Sequence, residues 1–114
     1  MQQLSSMQET LAVSSNGAVV GEVIAAAYAA NLTAWVKAGA GVSAFVVRVK
    51  GSLAQDLDTV NWPVLLELAF ADDGAPSPLA APKWVTGFTP GRFKFVVAEI
   101  VSVAGGTVDV YLLT

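Results

Sequence analysis

The sequence predicts an all-β protein, an antiparallel β-sandwich or jelly-roll-like fold of about seven to eight strands. Two observations carry this. Short runs rich in Val and aromatic residues alternate apolar and polar side chains, and clusters of Gly, Pro, Asp and Asn separate them at the spacing of sandwich strands. A third observation sets the scale: 114 residues is the length of one domain able to bury a single core without metals or disulfides. The expected organisation is a polar N-terminal arm over 1–9 and one sandwich domain over 10–114.

MQQLSSMQET has too few apolar residues to pack and reads as the arm, with a first strand over 8–13. SSNG, 14–17, is expected to close a tight hairpin, because Asn-Gly tolerates positive φ. The segment 18–38 is ambiguous on composition, since the alanines of EVIAAAYAANLTAWVKA favour a helix. Asn31 interrupts that run. Leu32, Ala34, Val36 and Ala38 then share one side of a period-2 pattern, with Thr33, Trp35 and Lys37 on the other, which favours strands and leaves a helix open over 22–30.

Gly39 and Gly41 turn the chain into SAFVVRVK, where Phe45, Val47 and Val49 face one way and Arg48 and Lys50 the other. GSLAQDLDTVNW, 51–62, reads as a connector. In WPVLLELAF, Val64, Leu66, Leu68 and Phe70 alternate with Leu65, Glu67 and Ala69, the apolar-on-both-sides pattern of a strand covered on both faces. Pro63 fits only at its start or on an edge.

The three prolines of ADDGAPSPLAAPK, 71–83, predict a loop or draped strap. In GRFKFVVAEIV, 91–101, Phe93 and Phe95 oppose Arg92 and Lys94, but Glu99 falls on the aromatic side, so a β-bulge is expected near 96–98. Ala104-Gly105-Gly106 is expected to form a hairpin into TVDVYLLT, with Val108, Val110 and Leu112 on one face.

Composition narrows the function classes. Hydrophobic residues make up 54% and charged residues 13% of the chain, the latter about half the roughly 25% of an average soluble domain. So small a monomer cannot hide that much apolar surface, which predicts faces that meet other subunits. The six Lys and Arg are scattered and the net charge is -3, so no nucleic-acid partner is expected. With no Cys and no His, thiolate and imidazole chemistry is excluded, and no cofactor is expected. The low-charge run over 23–36 is shorter than the roughly 20 residues of a membrane helix, and the N-terminus does not read as a secretory signal.

The remaining candidates each have a plainer reading. Asp56 and Asp58, with Gln55 and Asn61, offer oxygen ligands but lack the spacing, central Gly and closing Glu of a calcium loop. Asp72 and Asp73 before Gly74 read as turn formers. Glu67 or Glu99 with Asp109 would be the carboxylates of a glycosidase if the fold brought them together, whereas strand charges usually face solvent. Asn31-Leu32-Thr33 matches a glycosylation acceptor by chance, and SNGAVVG lacks the spacing of a phosphate loop. Trp35, Trp62, Trp84, Tyr28 and Tyr111 are the interface candidates, as core-closing or subunit-facing anchors. As a sugar-stacking platform they would instead serve a carbohydrate- or receptor-binding module.

The order of a V-x-V-x-G-S strand end, a polar loop, a Trp opening the next strand and a G-R/Y-F strand leading into the closing hairpin is carried by Val47, Val49, Gly51, Ser52, Trp62, Gly91, Arg92 and Phe93. Over roughly 43–114 it resembles small β-sandwich proteins of tailed bacteriophage particles. Leu53-Ala54-Gln55 departs from that layout, where an acidic residue followed by Gly is more usual, so no loop chemistry is carried over. The resemblance implies a non-enzymatic virion structural protein, a capsid-decorating or head-stabilising module. Such a protein would work as a homo-oligomer, for instance a trimer, clamping subunits of the major capsid protein. A tail-associated adhesin that binds carbohydrate is the alternative.

Overall fold

The computed structural model describes residues 2–3, 9–53, 59–71 and 79–113, with the side chains at 2–3, 9–10, 26–31, 71 and 91–93 outside that description. Eight strands carry the fold among these residues: β1 (Gln2–Gln3), β2 (Glu9–Ser15), β3 (Val19–Val20), β4 (Ile24–Ala38), β5 (Ala44–Ser52), β6 (Val64–Ala71), β7 (Lys83–Ala104) and β8 (Val108–Leu113). The only helical element described is a single 3-10 turn, Thr59–Asn61. The all-β expectation holds, and the 22-residue β7 organises it.

Pairing runs in the order β2-β8-β4-β7-β5-β6, with β1 alongside β4 and β3 alongside β7. The first half of β7 pairs with β4, from Ala38 opposite Lys83 to Asn31 opposite Pro90, and past two irregularities the start of β4 follows β7 round to Ile24 opposite Val96. Its second half pairs with β5, from Ser52 opposite Phe95 to Ala44 opposite Ala104. One long strand therefore belongs to two layers: β2-β8-β4-β7 in the first and β6-β5-β7-β3 in the second. The layers face each other closely, since a Cβ on Gly87 of the first would stand 2.6 Å from Leu68 Cδ2 of the second.

Alternation fills the space between. Leu32, Ala34, Val36 and Ala38 of β4 and Val108, Val110 and Leu112 of β8 meet Phe45, Val47 and Val49 of β5 and Ala98 and Ile100 of β7 in one core. Phe45 stacks on Phe70, with centroids 6.2 Å apart. Each fully buried side chain of this size contributes about 1.5–3 kcal/mol of transfer free energy. Backbone pairing settles the alanine-rich segment as strand rather than helix: β4 runs from Ile24 to Ala38 and lies antiparallel to β7 from Ile24 opposite Val96 to Ala38 opposite Lys83, and over 32–38 its side chains alternate between core and outward face.

Several local expectations are corrected. The Asn16-Gly17 hairpin does not form: β3 pairs with β7 at Ile100 and Glu99 rather than with β2, and only Gly41 and Gly105 are glycines with positive φ among the described residues. Ser15 Oγ instead accepts a hydrogen bond from the Gly17 N–H at 3.1 Å, a side-chain turn that needs no left-handed residue.

The expected hairpin at Gly105 is also absent. β8 pairs with β2 and β4, so the turn carries the chain from the second layer back to the first. The Gly39–Gly41 turn makes the reverse crossing. The two crossings touch backbone to backbone: a Cβ on Gly105 would lie 2.2 Å from the Gly41 carbonyl oxygen.

The bulge lies at Val101, left between the pairs Val46–Ser102 and Val47–Ile100, rather than at 96–98. Residues 96–98 are instead a run of three buried side chains, next to the corner where β7 changes partner. β6, expected to be covered on both faces, pairs among the described residues only with β5, as an edge strand with Val64, Glu67 and Ala69 exposed. Pro63 sits just before it, its carbonyl accepting from the Gly51 N–H.

Candidate functional site: an exposed aromatic face

The first layer turns one face to the core and the other outward, and the outward face is where the aromatic residues gather. Because the strand period is two, residues opposite one another in register form ranks across the sheet. One rank runs Leu11, Tyr111, Trp35, Thr86 from β2 through β8 and β4 to β7. The next runs Ser14, Asp109, Lys37, Trp84. On the far side of the first rank lie Leu113, Thr33 and Phe88.

Trp84 is the centre of the cluster. Its ring meets Trp35 edge to face, with centroids 5.9 Å apart and planes at 79°, and meets Tyr111 at 5.7 Å and 44°. Lys37 Nζ stands 5.7 Å from the Trp84 centroid, within cation–π range. These contacts fix the rings, yet Trp35 is 40% exposed, Trp84 47% and Phe88 58%. Large aromatic side chains held in place and left half open to water are a costly arrangement for a surface with no partner.

Polar contacts hold the rim. Asp109 Oδ1 accepts from Ser14 Oγ at 2.5 Å, and Thr86 Oγ1 donates to the Ala34 carbonyl at 3.1 Å. Lys37 and Asp109 are opposite in register, so the face carries one charge of each sign beside its aromatic centre.

Of the five aromatic candidates, the fold brings together Trp35, Trp84 and Tyr111. Trp62 lies elsewhere, 6% exposed, outside the main core, and its Nε1 has no hydrogen-bond partner among the described residues. The side chain of Tyr28 lies outside the described residues. Leu11, Lys37, Thr86 and Phe88 complete the face and were not singled out from sequence. The alternation of Trp84, Thr86 and Phe88 in KWVTGF was the signal that would have found the last two, but Pro90-Gly91 reads as a strand break and hid the first half of β7. Pro90 is tolerated because, among the described residues, this half of β7 has a neighbouring strand on one side only.

The carboxylate candidates do not assemble into a catalytic pair. Glu67 and Glu99 flank Arg48 on the outward face of the second layer, while Asp109 belongs to the first. Arg48 Nε donates to Glu67 Oε2 at 2.8 Å, and that hydrogen bond, with the Glu67 charge, holds the Arg48 pKa above its ordinary value. Lys50 Nζ reaches Glu99 Oε2 at 3.3 Å. Both acids are thus engaged by cations. Among the described residues no group of His, Cys, Asp and Glu is placed to hold a metal ion; Gln55, Asp56, Asp58, Asp72 and Asp73 lie outside them. No described helix is long and apolar enough to cross a membrane.

No protein-family model and no curated protein sequence matches the chain. Solved structures share its fold. The K1 cleaved adhesin domain of Lys-gingipain from Porphyromonas gingivalis W83 superposes with a TM-score of 0.58 at 18% identity, over 83% of this chain and 60% of that one. The K3 cleaved adhesin domain of the same protein gives 0.55 at 18% identity, over 83% of this chain and 62% of its own length. This chain therefore spans about three fifths of those adhesin domains. YomS, an SPBc2 prophage-derived protein, gives 0.53 at 14% identity, over 92% of this chain and 90% of that one. The fold of this chain is thus similar to adhesin domains and, over nearly the whole length of both chains, to a prophage-derived protein.

Proposed function

We propose that this protein is a non-enzymatic structural module of a phage particle, which docks through its aromatic face on other subunits of the virion. In its sharper form, it is a capsid-decorating or head-stabilising protein that bridges neighbouring major capsid subunits and, by binding only the assembled shell, stabilises that shell by mass action. The observation that carries the reading is the fixed cluster of Trp35, Trp84 and Tyr111 with both tryptophans nearly half exposed, since Trp and Tyr dominate the energetics of protein interfaces. Covering the open halves of Trp35, Trp84 and Phe88 removes about 100 Å2 of apolar surface each, worth about 2.5 kcal/mol per residue before the costs of association. The fold shared with a prophage-derived protein of nearly the same extent supports placing this module in a phage.

Co-sedimentation with assembled shells tests it. Trp84→Ala should weaken binding by at least about tenfold, about 1.4 kcal/mol, with the fold intact by circular dichroism. Unchanged binding would dismiss the face as the docking surface.

The fold shared with adhesin domains supports a second reading, a carbohydrate-binding module. The ring planes weigh against it: at 79° and 44° to one another, they offer no common plane on which a sugar chain could lie flat. A glycan-array signal lost in Trp84→Ala would establish this reading in place of the first.

A further inference from the structure

The two sides of the sandwich are finished differently. On one side Gly21 closes the gap between layers: its N–H donates to the Ala98 carbonyl at 2.9 Å, and a Cβ there would meet the carbonyl oxygens of Ala12 and Ala98 at 3.0 Å. On the other side, where Gly87 lies over Leu66 and Leu68, both layers end on strands that are unpaired along their outer edge among the described residues, β6 and the first half of β7. β6 carries protection, with Pro63 before it, Glu67 at its middle and a register break opposite Val49 and Lys50. The β7 edge has little. Its register against β4 is unbroken from Lys83 to Pro90, its outward residues Trp84, Thr86 and Phe88 are exposed, and only its two ends hold a charge or a proline. A regular, uncharged, exposed edge is a template for another strand.

We infer that this edge, Lys83 to Thr89, pairs antiparallel with the same edge of a second copy, on a twofold axis through Thr86. The sequence is self-complementary about that point. Trp84 falls opposite the Phe88 of the second copy, Phe88 opposite its Trp84, Thr86 opposite its Thr86, and Lys83 opposite an uncharged Thr89. Aromatic and Thr–Thr cross-strand pairs are those that favour antiparallel pairing, and no like charges oppose each other. The two first layers then form one sheet of twice the width, and their aromatic faces become continuous.

The seam is small. Four half-open aromatic side chains at about 100 Å2 each, with the strand backbones, fall short of the roughly 1,200 Å2 of a stable standard interface. The dimer is therefore one in exchange with monomer, consolidated where copies are held side by side. The inference deepens the proposed docking role but does not share its fate, because Tyr111 lies on the face and off the seam.

The absence of cysteine makes the test direct. Opposed Cα atoms in an antiparallel pair are about 4.5–5.5 Å apart, within the span a disulfide bridges. Under mild oxidation Thr86→Cys should give a covalent dimer, while Ser102→Cys, also exposed but on the second layer, stays monomeric. Sedimentation of the cysteine-free protein should show self-association rising with concentration, and Thr86→Lys, which opposes two like charges on the axis, should abolish it. Cross-linking of Thr86→Cys no faster than that of Ser102→Cys, or self-association unchanged by Thr86→Lys, overturns the seam. Loss of shell binding in Tyr111→Ala with cross-linking retained would show the face and the seam acting separately, as inferred.

Discussion

Replacing Gly105 by Ala tests the claim that the two layer-crossing turns are built against each other. Gly105 has φ of +90°, and a Cβ there would stand 2.2 Å from the Gly41 carbonyl oxygen. The left-handed conformation costs an L-residue about 1–2 kcal/mol. The contact must also open by about 1 Å, which strains or breaks a neighbouring hydrogen bond and costs about 1–2 kcal/mol more. The adjacent bonds at risk are Ser43 N–H to the Ala104 carbonyl at 2.9 Å and Gly41 N–H to the Leu79 carbonyl at 2.8 Å.

The sum is about 3 kcal/mol. An unfolding entropy of about 2.1 cal/mol/K per residue over 114 residues gives about 0.24 kcal/mol/K, so the Tm should fall by about 12 °C. Thermal and urea unfolding followed by circular dichroism read this directly. Gly17→Ala is the control: a Cβ there meets nothing within 4 Å and φ is not left-handed, so it should be neutral or stabilising by up to about 1 kcal/mol. Gly41→Ala opens the same contact, with a Cβ 2.7 Å from the Gly105 carbonyl oxygen, so the double variant should cost less than the two singles added. If Gly105→Ala unfolds within about 1 kcal/mol of Gly17→Ala, the crossings are not coupled and the argument fails.

Trp62→Phe removes a buried N–H without a described partner, so it should cost under about 1.5 kcal/mol, whereas Trp62→Ala leaves a cavity and should cost about 3–5 kcal/mol in the same urea assay. Glu99→Ala strips the ion partner from Lys50, which is 7% exposed, and should destabilise by about 1–3 kcal/mol; Lys50→Met, which removes the buried charge instead, should be near neutral or stabilising. The raised Arg48 pKa means its contribution is fully present below the ordinary arginine value and is lost only above it. The difference in urea midpoint between Arg48→Met and the natural protein should therefore stay constant between about pH 7 and about pH 10.

Much of the fold was legible because strand burial has a period of two. The pattern 32, 34, 36, 38 in β4, the set Phe45, Val47, Val49 in β5 and the set Val108, Val110, Leu112 in β8 each turned out to face the core. Turns were read less well. Asn16-Gly17 and Ala104-Gly105-Gly106 both look like hairpins locally, but a turn's sequence says only that the chain reverses, not which strand it returns to. The aromatic face was legible by residue type and not by membership: Trp35, Trp84 and Tyr111 were candidates together with Trp62, and nothing in their local sequence separates the three that meet from the one that is buried apart.

What the sequence by itself determined was the class of structure, the surplus of apolar over charged residues, and the absence of the side chains that thiolate and imidazole catalysis require. These depend on composition and on neighbours along the chain. The tertiary structure alone decided that one strand, Lys83 to Ala104, serves both layers through Pro90 and Gly91, that the glycine turns cross between layers instead of closing hairpins, and that three distant aromatic residues share one outward face beside an edge with no strand partner among the described residues. Those depend on long-range register, the choice of partner strand among several of similar pattern, which burial of the whole core selects and no local stretch encodes.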